Sequence, residues 1–92
     1  MYLALNALAD GAVRGGLTRT EAVKLVAHTA TGAAKMVLKS EKHLGELKDG
    51  VCTAGGSTTA SINALEECGV RGALMKAVHA VTERARELQT DI

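Results

Sequence analysis

Thr18-Arg19-Thr20-Glu21-Ala22-Val23-Lys24-Leu25-Val26 is the stretch whose reading decides the fold. Thr18 and Glu21 stand at capping-box spacing, so the hydroxyl can take the third helical N–H while the carboxylate reaches back. From this start the spacing predicts a helix to about Lys39. Glu21, Lys24, His28, Lys35 and Lys39 fall on one face, and Ala22, Leu25, Val26, Ala33, Met36 and Val37 on the other. A long helix with one apolar face commits the chain to packing helix on helix. Gly32, among Ala30, Ala33 and Ala34, costs about 1 kcal/mol relative to Ala, which the close approach of another helix can offset.

Upstream lies Met1 to Arg14, apolar over most of its circumference, with Asn6, Asp10 and Arg14 recurring every four residues as a narrow polar stripe. A helix with so little polar surface is expected to be buried on several sides. It begins at the first residue with no capping residue ahead of it, so the helix, and a domain before it, is expected to start upstream. Gly15-Gly16 closes it.

Downstream, Ser40 to Gly50 reads as a charged turn around Leu44 and Leu47. A short helix follows from about Thr58 to Glu67, with Ile62 and Leu65 inward, and Cys68-Gly69 ends it, Cys68 serving as a small packing residue. Val70 to Gln89 is the last helix. There Leu74, Val78, Val81, Ala85 and Leu88 alternate four and three apart, the spacing of a helix–helix seam. His79 with Glu83 and Glu83 with Arg86 lie opposite, as surface pairs worth a few tenths of a kcal/mol. The expected class is therefore all-α, with about four helices.

Composition agrees. Apolar residues make up 47% of the 92, yet Phe, Trp and Pro are absent and Tyr2 is the single aromatic, so the core must come from Ala, Leu, Val, Ile and Met. Ten glycines fit helices separated by turns. A single small domain of this size buries only somewhat more than ~60% of its unfolded surface. Four helices with apolar surface on more than one side leave too much uncovered for one copy, which favours self-association. Eleven basic and ten acidic residues, spread without a basic cluster, argue against a nucleic-acid partner. Charges interrupt every apolar run short of the ~20 residues of a membrane span. Cys52 and Cys68 form no metal-type pair and read as free thiols of a soluble intracellular protein.

One segment exceeds what a packed helical domain needs. In Lys48-Asp49-Gly50-Val51-Cys52-Thr53-Ala54-Gly55-Gly56-Ser57-Thr58-Thr59, two adjacent glycines run into hydroxyl residues of N-cap type at the start of a helix. N–H groups at such a start lack intrahelical partners and can receive a carboxylate or phosphate. The same pattern also serves as plain loop and cap, and both readings stand at this point.

Ala7-Leu8-Ala9-Asp10-Gly11-Ala12-Val13, Gly32-Ala33-Ala34-Lys35-Met36, Leu47-Lys48-Asp49-Gly50-Val51, Gly55-Gly56-Ser57-Thr58 and Arg84-Ala85-Arg86-Glu87-Leu88 together resemble the C-terminal domain of pyrroline-5-carboxylate reductase. The resemblance covers nearly the whole chain and is most specific at the glycine turn. It implies a helical domain, residues 1–92, that intertwines with a second copy into a homodimer or a higher oligomer. The implied reaction is hydride transfer from NADPH or NADH to the ring C=N of 1-pyrroline-5-carboxylate, giving proline. The implied substrate residues are Val51 against the ring, N–H groups of Gly56, Ser57 and Thr58 on the carboxylate, and Glu41 as an acidic group nearby. Thr58 is the implied catalytic residue, its hydroxyl near the ring nitrogen. The family's nucleotide domain has no counterpart here, since no Gly-x-Gly-x-x-Gly follows a strand, so the isolated chain is expected to be inactive. The implied compartment is the cytoplasm, or the mitochondrion.

Three departures stand out: Ala54 where the family usually has proline, Gly50 where Asn is common, and Cys52 in place of a small hydroxyl residue. Cys52 reads as a substitution, with no basic residue placed by sequence to activate it. Two competing readings are a stand-alone helical dimerisation module without activity and a carboxylate-binding protein without chemistry.

Overall fold

The computed structural model describes residues 1–52 and 56–90, and those residues form five α-helices and no strand. The chain divides into two compact units, Met1–Leu47 and Lys48–Ile92. The all-α class expected from the sequence holds, with one helix more than the sequence suggested.

The first unit is built on α1 (Tyr2–Arg14) and α2 (Arg19–Lys39), a pair joined by a tight turn. Gly16 adopts φ +119, which permits two bonds that close α1: its own N–H reaches the Val13 carbonyl and the Leu17 N–H reaches that of Ala12. This is the glycine-terminated end in which two orphan carbonyls are satisfied at once. Two residues later α2 starts as the capping box predicts. The Glu21 N–H donates to the Thr18 Oγ1 at 3.2 Å, and the Thr18 hydroxyl donates in turn to the Glu21 carboxylate at 2.8 Å. Across the turn, Arg19 Nη1 lies 2.7 Å from Asp10 Oδ1 and ties the two helices together.

Small residues let α1 and α2 meet. Ala22 is 0% exposed and Ala9 3%, and they are the buried hydrophobic residues among those described. The expectation that α1 is buried on several sides is not met within one chain. Met1, Tyr2, Leu3 and Leu8 are exposed, because α2 covers only one face of α1. On α2 likewise, Ala22 is covered while Leu25, Ala33, Met36 and Val37 remain exposed.

The additional helix is α3 (Leu44–Gly50), within the segment expected to be a turn. Its start is capped by an unexpected residue: the Gly45 N–H donates to His43 Nδ1 at 3.0 Å, and the Leu47 N–H donates to the His43 carbonyl. An imidazole nitrogen thus does what a Ser or Asp oxygen does at other helix starts.

In the second unit, α4 (Ser57–Glu67) and α5 (Val70–Thr90) are separated by Cys68 and Gly69. Gly69, at φ +73, sends its N–H back to the Glu66 carbonyl and receives the Ala73 N–H on its own carbonyl. One residue therefore ends one helix and begins the next. Cys68 is exposed at this junction, which corrects its reading as a packing residue: the junction folds back on backbone bonds and encloses no side chain. Leu65, expected inward, is also exposed, while Ile62 is half-buried.

The predicted seam of α5 is present as a stripe, and it is open. Val78 is 68% exposed and Val81 71%, with Leu74 and Leu88 also exposed. The charges opposite pair along the helix, Arg84 with Glu87 at 2.9 Å and Arg86 with Glu83 at 3.1 Å.

Candidate functional site

The hydroxyl-bearing start of α4 is the segment with chemical potential. Gly56 is its N-cap, with extended backbone at φ −82 and ψ 166, and the Ala60 N–H donates to its carbonyl at 3.2 Å. The sequence reading placed Ser57, Thr58 and Thr59 at the cap, and the structure moves that position back by one residue. Ser57 and Thr58 are the first two helical residues. The cause is chemical: with glycine at the cap, no side chain occupies the helix start.

A helix beginning in this way directs its first N–H groups outward along its axis without intrahelical partners, where the helix dipole favours an anion. At 11 residues, α4 is long enough for that polarity to count. Ser57 is exposed, while Gly56 and Thr58 are half-buried. Thr58 is the second helical residue, in the same first turn as those N–H groups. A carboxylate can be held by the backbone while a neighbouring polar atom of the same molecule meets a hydroxyl.

Val51 belongs to the same unit. It follows α3 in a turn where its N–H donates to the Lys48 carbonyl at 3.3 Å and the Cys52 N–H to that of Asp49 at 3.1 Å. Its side chain is exposed, an apolar surface with no cover. Lys48 and Asp49 pair at 3.7 Å beside it. Cys52 is a half-buried free thiol.

Glu41 lies in the first unit, between α2 and α3, and is exposed. The adjoining turn is shaped by the Lys42 N–H, which donates to Ser40 Oγ at 3.0 Å. The structure therefore groups Val51, Gly56, Ser57 and Thr58 in one unit and Glu41 in the other. The expected Gly55-Gly56 path and the effect of Ala54 fall on residues 53–55 and lie outside the described residues. At position 50 a Cβ would meet nothing within 4 Å, so the backbone there does not demand glycine. Among the described residues no cluster of His, Cys, Asp and Glu could hold a metal ion, and no helix is long and apolar enough to cross a membrane.

The sequence reading did not single out a second feature, an apolar groove of about 120 Å³ on the α1–α2 pair, lined by Leu5, Asn6, Ala9, Val23, Val26 and Ala27. Its signal was present in the small residues Ala9, Ala22 and Ala27, which keep the two backbones close and the groove shallow.

Comparison with known proteins gives these features a context. Residues 1–88 match the family model described as pyrroline-5-carboxylate reductase dimerisation. The chain is 52% identical over 89 residues to pyrroline-5-carboxylate reductase 2 of Bos taurus, covering 97% of this chain and 28% of that protein. It is 51% identical over 88 residues to pyrroline-5-carboxylate reductase of Pisum sativum, covering 96% of this chain and 32% of that protein. Among solved structures, a pyrroline-5-carboxylate reductase from Coxiella burnetii superposes with TM-score 0.89 at 37% identity, over 95% of this chain and 32% of that one. The pyrroline carboxylate reductase of Plasmodium falciparum, solved with NADP bound, gives TM-score 0.87 at 35% identity, over 90% of this chain and 32% of that one. The chain thus spans about a third of the length of the relatives it matches.

Proposed function

We propose, from the fact that this chain belongs to the pyrroline-5-carboxylate reductase dimerisation family, that it is the dimer-forming and substrate-holding part of an enzyme reducing 1-pyrroline-5-carboxylate to L-proline. The observation that carries the reading is the glycine-capped start of α4, with Ser57 and Thr58 as its first two residues.

In that reaction a hydride joins the imine carbon and a proton joins the ring nitrogen, so the C=N becomes a secondary amine. NADPH or NADH supplies the hydride. The residues of this chain do not fit the dinucleotide, because the described residues hold no strand and the sequence has no Gly-x-Gly-x-x-Gly turn to seat a pyrophosphate. Its binding belongs to a nucleotide domain outside these 92 residues. What these residues contribute is position. The N–H groups of Gly56, Ser57 and Thr58 hold the substrate carboxylate, Val51 lies against the ring, and the Thr58 hydroxyl hydrogen-bonds at the ring nitrogen, where the proton is gained. Glu41 is included as an acidic group near the substrate on the family resemblance alone.

A homodimer accompanies this assignment. The exposed stripe of α5 and the uncovered faces of α1 and α2 support it, since a lone copy leaves them in water. The free thiols Cys52 and Cys68 suit a reducing compartment such as the cytoplasm.

The test is Thr58→Ala in the complete protein that contains this chain. Loss of a hydrogen bond made in the transition state is expected to lower kcat/KM by about 10- to 100-fold with the dimer intact. Unchanged activity would remove Thr58 from the site.

A further inference from the structure

We infer that His43 is a pH-sensitive cap: its neutral imidazole holds the start of α3, and protonation at Nδ1 releases it.

The geometry fixes the protonation state that the cap needs. The Gly45 N–H donates to His43 Nδ1 at 3.0 Å, and the Leu47 N–H donates to the His43 carbonyl at 3.0 Å. A ring nitrogen that accepts a hydrogen bond carries no proton, whereas both nitrogens of an imidazolium are donors. One proton therefore turns the acceptor into a second donor facing the Gly45 N–H. The positive end of the helix opposes the same charge. Gly45 is also what lets the ring lie there, since a Cβ at that position would come within 3.3 Å of Nδ1.

Little else holds α3. It has seven residues, two of them glycine, and none is buried. Helix-to-helix packing among the described residues is chiefly that of α1 with α2 and of α4 with α5. A helix this short is marginal in water without tertiary support, so its local bonds decide whether it forms. The charged groups around His43 are those of its own segment and the end of α2: Lys39, Glu41, Lys42, Glu46, Lys48 and Asp49. The carboxylates attract an imidazolium and the lysines repel it, yet neither restores a lone pair to Nδ1. An ordinary imidazole gains its proton between pH 5 and 8, so α3 is capped above that window and uncapped below it. The change reaches further along the chain, because the last turn of α3 supplies the Lys48 carbonyl that receives the Val51 N–H.

NMR of the isotope-labelled 92-residue chain, titrated from pH 8 to pH 5, tests the switch. The ring nitrogen signals of His43 report the state of Nδ1, and Cα shifts report the helix-to-coil ratio over residues 44–47. Nδ1 is expected to be unprotonated at pH 8. As it gains its proton the ratio should fall by about fivefold, the change that loss of one N-cap produces. His43→Asn, whose side-chain oxygen can take the Gly45 N–H at either pH, should keep the high ratio throughout. His43→Ala should show the low ratio throughout. A proton on Nδ1 at pH 8, a ratio that stays constant while the ring titrates, or a pH step that survives in His43→Asn would each overturn the inference. So would loss of the α2 helical shifts over the same range, since that would be unfolding of the chain and not release of one cap.

Discussion

The α1–α2 pair and the α4–α5 pair draw on the same small aliphatic residues, and only the first closes on itself. Ala9 and Ala22 are buried where α1 meets α2, whereas neither α4 nor α5 shows a buried residue among those described. Length separates the pairs only a little: the 13 residues of α1 stand against the 21 of α2, and the 11 of α4 against the 21 of α5. Chemistry separates them further. Each pair has an ion pair across its turn, Asp10 with Arg19 and Glu66 with Arg71, but the first also has the capping box of Thr18 and Glu21, while Arg84–Glu87 and Arg86–Glu83 run along α5. The lesson is that α5 can be helical without being packed, and its packing must come from elsewhere.

The strongest way to break this comparison is Val81→Asp. In the chain alone the position is exposed and a carboxylate there costs little. Seated in a partner it would be buried and unpaired, at about 3–5 kcal/mol. The dimer dissociation constant is expected to rise by about 100-fold or more, read by sedimentation equilibrium. A dimer that survives the substitution would show that the stripe is not the interface.

Ala22→Leu probes the other side. Position 22 is fully enclosed, and added methyl groups in such a place typically cost 1–3 kcal/mol. For a chain of this size each kcal/mol lowers the thermal midpoint by about 4–8 °C, followed by circular dichroism. The same substitution at exposed Ala64 in α4 is expected to stay within about 0.5 kcal/mol. An equal loss at both positions would mean that the two pairs are packed alike after all.

Which features were legible in the sequence follows the same division. The capping box, the glycine stop of α1 and the α5 stripe were readable because each is written in neighbouring residues or in a period repeated over several turns. Leu44–Gly50 was missed because seven residues are under two turns, too few to show a period, and two of them are glycine. Its cap is a histidine, a residue type outside the usual capping set. At the candidate site, the hydroxyl cluster correctly marked a helix start, but Ser57 and Thr58 proved to be inside the helix because Gly56 adopts the extended cap conformation. Which side chains would be covered was the least legible property. Leu65 and Cys68 read as inward, yet their helices have no neighbour broad enough within their own unit to cover them.

The smallest expected effect concerns the Asp10–Arg19 pair, and its size decides how self-sufficient the first hairpin is. The guanidinium and carboxylate meet at 2.7 Å with side chains 55% and 58% exposed. At that exposure water screens the pair, and double-mutant cycles on comparable pairs give about 0.2–1 kcal/mol. Asp10→Asn keeps the shape and removes the charge, so it should lower the thermal midpoint by a few degrees at most. The difference between parent and variant should then largely vanish at 1 M salt, where the Debye length falls to about 3 Å. A loss that persists in salt and exceeds ~1 kcal/mol would mean that the pair is shielded in the assembled protein, since partly buried charges escape such screening. The hairpin's own clasp would then lie under the partner, and the contrast between a self-closing pair and a partner-dependent one would narrow to the burial of Ala9 and Ala22.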